Sequence, residues 1–144
     1  EEILSRYEIL MEEYVNLINI EALTMANMAS KDILPAVSNA QKTLAETLLA
    51  KKEAMPGLPA DYEELTLKES SLLLQKAFRA LTQLEQDTAV LHAMNQFEEK
   101  AFFVRDVILP DMDALRAPCD ELEEITETSQ WPFCTYGKLL FGIQ

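Results

Sequence analysis

The chain has 144 residues, is 49% hydrophobic and 26% charged, and sets 12 basic against 25 acidic side chains for a net charge of −13. Length and balance indicate one globular domain with a real core, and so acidic a surface excludes phosphate backbones and anionic lipid headgroups, leaving neither nucleic acid nor membrane as an expected partner. Three glycines, Gly57, Gly137 and Gly142, are too few for the turns of a β sandwich or barrel, and no apolar run has the roughly 18 residues of a membrane span.

Helical spacing begins at once. Leu4, Tyr7, Met11, Tyr14 and Ile18 alternate steps of three and four, which predicts a helix packed in a bundle. Ile3, Leu10, Leu17 and Ile20 widen that stripe, so this half of the helix is expected to meet more than one neighbour. The pattern resumes as Ile33, Val37, Ala40, Leu44 and Leu48 with Pro35 inside it, where a bend rather than a stop is expected. Met55-Pro56-Gly57-Leu58-Pro59 is the strongest breaker in the chain and ends a helix over 1–54.

Asp61 then offers an N-cap with Glu64 three residues on, opening a second helix over 61–92 whose stripe is Leu67, Leu74, Phe78, Leu81, Thr88 and Leu91. A short turn around 92–94 and a second capping box, Asn95 with Glu98, start a third helix over 95–128. Its stripe runs Phe97, Ala101, Val104, Ile108, Met112, Leu115, Cys119, Leu122 and Ile125, with Pro110 and Pro118 inside. Counting residues along the helices puts Pro35 and Pro110 at similar heights on neighbouring helices. The expected architecture is all-α: an elongated antiparallel bundle of three long helices in a single domain, bent near Pro35 and Pro110, followed by an extended aromatic tail over 129–144.

Few residues carry catalytic chemistry. Cys119 and Cys134 read as free thiols of a cytoplasmic protein rather than a disulfide. His92 is the only histidine, and the residue three before it is Ala89 rather than a glutamate, so neither a di-metal carboxylate site nor a zinc site can be assembled. No phosphate-cradling glycine loop or nucleophile elbow is present. Glu12–Glu13, Glu63–Glu64, Glu98–Glu99 and Glu123–Glu124 are adjacent pairs that diverge by ~100° on a helix and read as solvated faces. No catalytic, cofactor-binding or metal-ligating residue is therefore assigned. The tail differs: Trp131-Pro132-Phe133-Cys134-Thr135-Tyr136-Gly137-Lys138-Leu139-Leu140-Phe141 is too aromatic to stay in water and must dock on something. Trp131, Pro132, Phe133, Tyr136, Leu139, Leu140 and Phe141 form the candidate docking surface, with the Ile3–Ile20 stripe or another protein surface as its seat.

Several blocks resemble one family. Arg6-Tyr7-Glu8-Ile9-Leu10, Ile18-Asn19-Ile20-Glu21-Ala22-Leu23-Thr24-Met25, Ile33-Leu34-Pro35-Ala36-Val37, Arg105-Asp106-Val107-Ile108-Leu109-Pro110 and above all the 131–141 segment resemble the C-terminal region of type III glutamine synthetases. Cys134 departs from the resemblance, standing where the family usually shows proline. The resemblance implies a parent that joins glutamate and ammonia into glutamine with ATP and Mg or another divalent ion, in a dodecamer. It transfers no catalytic or metal residue to these positions, because the catalytic parts belong to preceding domains. A chain that opens at Glu1 within a helical pattern, without an initiator methionine, is expected to be a fragment of that larger enzyme. The expected role is a non-catalytic accessory domain that packs on the catalytic domains of the same chain and on neighbouring subunits. The alternative is a stand-alone acidic helical-bundle protein-interaction module, and a complete small catalyst ranks far behind both.

Overall fold

The computed structural model describes residues 1–133, and among them the architecture is all-α with no strand. The first helical rod is α1 (Glu2–Met28), a π-helical turn (Ala29–Ile33) and α2 (Leu34–Ala54); the second is α3 (Asp61–Ala93). The third is α4 (Phe97–Phe103), another π-helical turn (Val104–Ile108) and α5 (Leu109–Ile125), after which one 3-10 turn (Thr128–Gln130) leads out.

The first reversal is built from its residues. Met55 is extended (φ −152°, ψ 102°), the conformation favoured before a proline, and this ends α2. Pro56 and Gly57 then form the corner of a turn closed by the Leu58 N–H donating to the Met55 carbonyl at 3.1 Å, with Gly57 at φ 86°. Proline first and a left-handed glycine second is the pattern of a type II turn, and only glycine takes the second place without strain. Neither expected capping box forms. Asp61 is the first helical residue of α3 rather than its cap, which is Ala60, and Gln96 rather than Asn95 caps α4; neither cap makes a side-chain bond. The acidic residues expected to close those boxes still lie in the first turns, where they complement the helix dipole. The third rod stops at Ile125, short of 128, because Thr126 turns extended.

Pro35 and Pro110 each follow a widened turn. Proline lacks an N–H, and its ring collides with the carbonyl four residues back. The turns before Pro35 and Pro110 relieve this in the same way: the N–H of Leu34 reaches Ala29 and that of Leu109 reaches Val104, five residues back rather than four. Two similar sequences thus take one local structure.

Side-chain bonds give the register of α3 on the first rod. Gln41 donates to Ser70 at 2.9 Å, Lys51 pairs with Glu63, and Asn19 meets His92 at 3.1 Å, so α3 runs back along the first rod and ends beside Asn19. The connection after Ala93 is extended at Met94 and Gln96 and carries the third rod further up, so that α4 packs on α1 beyond the end of α3. Pro110 and Pro35 are therefore not level: Ile20–Ile33 lies beside Met112–Asp120, which sets Pro35 well below Pro110. The residue count failed because it started the third rod level with the end of the second.

The core follows from this arrangement. Val15, Ile18, Ala22, Ala29 and Val37 of the first rod meet Ala77, Leu81, Leu84 and Leu91 of α3 and Val104, Ile108, Met112, Leu115 and Leu122 of the third. Each fully buried leucine or isoleucine contributes about 1.5–3 kcal/mol by leaving water. Above Asn19 the picture reverses. Leu4, Tyr7 and Tyr14, expected inside, are exposed, as are Ile3 at 83%, Leu10 at 63% and Leu17 at 54%. The expectation of several neighbours here is corrected: α3 has already ended, and α4 packs on this part of α1 while leaving these side chains exposed.

Candidate docking site

The chain leaves α5 against the lower half of the first rod. The 3-10 turn packs on α2, and Trp131 is 9% exposed within the core, its N–H donating to the Thr128 carbonyl at 3.3 Å. Phe133 is half-buried against the same core, and Pro132 is exposed. Tyr136, Leu139, Leu140 and Phe141, the rest of the candidate docking surface, lie outside the described residues, as does Cys134.

Between the first and third rods runs an open groove of about 520 Å³. Ile20, Met25, Met28 and Ile33 form one wall, Met112 and Leu115 the other, and Glu21, Arg116 and Asp120 stand at its edges. Three methionines give its floor an adaptable, apolar shape. Cys119 also lines it; its thiol is free, and burial with the nearby Asp120 charge raises its pKa to about 11, so it is not a poised nucleophile.

A second apolar surface is the uncovered upper part of α1, joined on α4 by exposed Phe97 and Phe102. The Lys100 ammonium stands 5.3 Å from the Phe97 ring centre and the Arg105 guanidinium 5.1 Å from that of Phe102. Both are within cation–π range. Arg105 also forks onto Asp106, which lowers the Asp106 pKa and raises that of Arg105.

Two polar arrangements were not legible in the sequence. Glu63 is buried, and the hydrogen bond from the Lys51 ammonium lowers its pKa, pinning the first turn of α3 to the end of α2. Asp111 on α5 faces Asp87 on α3. Burial first, then the hydrogen bond and the charge of Asp87, raise the Asp111 pKa to about 7. Oδ2 of Asp111 is buried with no donor upon it, while Oδ2 of Asp87 accepts from Gln83 at 2.8 Å. Two facing carboxyl groups disfavour a second charge, which is the direction of the Asp111 shift. His92 sits on the last turn of α3, bonded to Asn19 as described. Among the described residues no three His, Cys, Asp or Glu side chains converge as metal ligands, and no helix is long and apolar enough to cross a membrane.

Residues 1–52, the first rod almost entire, match the family model of the glutamine synthetase C-terminal domain. A glutamine synthetase of Butyrivibrio fibrisolvens is 35% identical over 144 residues, covering 100% of this chain and 21% of the relative. The type-3 glutamine synthetase of Dictyostelium discoideum is 32% identical over 150 aligned positions, 97% of this chain and 20% of the relative. A glutamine synthetase of Bacteroides fragilis is 27% identical over 97% of the chain. The resemblance to glutamine synthetases, type 3 included, spans the whole chain. The chain covers about a fifth of the length of these relatives. The segment 1–52 that matches the family model includes the uncovered upper part of α1, the first π-helical turn and Pro35.

Proposed function

We propose that this chain is the C-terminal accessory domain of a type III glutamine synthetase, non-catalytic alone, and that it packs on the catalytic domains of its own chain and on neighbouring subunits of a dodecamer. The parent makes glutamine from glutamate, ammonia and ATP with Mg in the cytoplasm. The observation that carries the reading is the apolar upper part of α1, with Ile3, Leu10 and Leu17 in water within a chain that matches a fifth of a large enzyme. An exposed apolar face of that extent marks a surface that packs on something else. In this reading the domain is an elongated antiparallel three-helix bundle, bent at Pro35 and Pro110, and the aromatic tail from Trp131 onward fixes its position. Among the described residues no three His, Cys, Asp or Glu side chains converge, and no step of the ligase chemistry is routed through them.

The test is removal of residues 1–144 from the parent, read by turnover and by particle mass. A smaller particle or lost activity is expected. Unchanged mass and turnover would overturn the packing role and leave the stand-alone interaction module. Glutamate- and ammonia-dependent ATP hydrolysis by the chain alone would refute the non-catalytic assignment.

A further inference from the structure

We propose that the exposed side of α1 takes an amphipathic helix with basic side chains, contributed by the part of the parent outside this domain, so that a fourth helix completes the bundle. The inference rests on the packing role proposed above and names the partner that the surface fits.

Three observations carry it. The first is spacing. α1 is regular from Glu2 to Met28, and beside its buried stripe it carries a second one, Ile3, Tyr7, Leu10, Tyr14 and Leu17. These alternate steps of four and three, and all five are exposed, from 40% at Tyr14 to 83% at Ile3. That period is the seam at which one helix meets another; a strand, with its period of two, matches few of these positions. The second is continuity. The same steps lead on to Glu21, Thr24 and Met28, which line the groove opposite Met112, Leu115 and Arg116 of α5. Stripe and groove are therefore one trough of roughly 38 Å from Ile3 to Met28, the length of a helix of about 25 residues. A helix laid in it touches α1 throughout and α5 in the lower part, as the fourth member of a bundle does. The third is charge. Glu21 is the one carboxylate in the stripe, Asp120 lines the same groove from α5, and Glu13 stands one residue ahead of Tyr14. Among the described residues none of these three is in an ion pair, whereas the neighbouring cations are taken, Arg6 by Glu2 at 3.6 Å and Arg116 by Asp113 at 3.4 Å. A second copy would bring the same carboxylates to a chain of net charge −13 and be repelled, while lysine or arginine on the partner pairs with them. A charge within an apolar seam also fixes the partner's register.

Photo-crosslinking in the purified intact parent tests the partner. Benzoylphenylalanine replaces Leu10, Leu17 or Thr24 in the trough, and Leu49 or Leu72, exposed on α2 and α3, as controls. The trough positions are expected to capture one peptide from outside residues 1–144, with apolar residues at helical spacing and lysine or arginine beside them, which the controls do not capture. Glu21→Lys is expected to lower that capture about tenfold and Glu21→Gln less, with the unfolding midpoint of the chain unchanged because Glu21 is exposed. Reversing the captured peptide's basic residue to glutamate is expected to restore capture by Glu21→Lys, a rescue that a merely structural role for Glu21 would not give. Capture of residues 1–144, from another copy or from the same one, would overturn the proposal, since the domain would then cover its own trough. Capture of an acidic segment, or of one without helical spacing, or capture indifferent to Glu21→Lys, would overturn the basic helix while sparing the packing role. No capture at any trough position would overturn it too, and deletion of 1–144 then decides the packing role separately.

Discussion

The first rod is two different objects above and below Asn19. Below, Ala22, Ala29 and Val37 are buried between α3 and the third rod; above, Ile3, Leu4, Tyr7 and Leu10 stand in water although they are larger. Residue type therefore does not explain the difference. What explains it is the length of the neighbour, since α3 ends beside Asn19 and α4 alone continues upward. An apolar periodicity states that a face wants cover, and only the geometry of the partner helices says whether this chain provides it.

The largest expected contrast is in stability. Leu84→Ala or Leu122→Ala, each at a fully buried site, is expected to cost about 2–5 kcal/mol in urea unfolding. Leu10→Ala is expected to stay within about 0.5 kcal/mol. Equal losses at the two positions would erase the distinction between the regions.

A smaller effect comes from the carboxyl pair below the divide. The folded pKa of Asp111 lies above its ordinary value of 3.8, at about 7. The folded state then binds more protons than the unfolded state between those limits, so stability falls as pH rises through the window. Asp111→Asn keeps a donor toward Asp87 without titrating. It is expected to gain about 1 kcal/mol near pH 8 after allowance for solvent screening, and nothing near pH 4. A gain that is equal at both pH values would show that packing rather than the proton is responsible.

Smaller again is the effect of the prolines. Pro35→Ala restores an N–H and removes the ring, and is expected to return Ala29–Ile33 to α-helical spacing with a stability change below about 1 kcal/mol. Backbone carbon shifts and amide exchange across 29–37 read the outcome. A π-helical turn that survives the substitution would mean that packing of Ala29 and Val37, rather than proline, holds it open.

The least effect on the chain itself is expected from the triple change Ile3→Gln, Leu10→Gln, Leu17→Gln. Its unfolding midpoint should be unchanged, with loss seen only in the particle mass of the parent. A chain destabilised by more than about 1 kcal/mol would show that the upper face is already covered at home.

Much of the fold was readable because it depends on local chemistry. Pro56 and Gly57 demand a reversal wherever they occur, and the stripe from Val104 to Leu122 is buried because one helical face stays turned to its neighbours over five turns. The capping boxes were misread for an equally local reason: Pro59 and the extended Gln96 leave the helix start one residue away from the side chain expected to cap it. The candidate site was less legible. Trp131 and Phe133 stood out by composition, but the groove beside Ile33 needs two rods aligned side by side, and no single stripe contains it. Asp87 and Asp111 lie 24 positions apart in sequence on different helices, and nothing in either neighbourhood announces their meeting.

The sequence by itself determined that this protein is helical, where its first rod reverses and which residues of its third rod are apolar on one side, since hydrogen-bond geometry and side-chain period act over a few residues. Only the tertiary structure decided which half of the first rod is covered, that Asp111 of α5 faces Asp87 of α3, and that Met25, Met28 and Met112 face one groove. Each of these depends on how far one helix extends along another, a distance set by the extended link at Met94 and Gln96 rather than by any residue that feels its consequence.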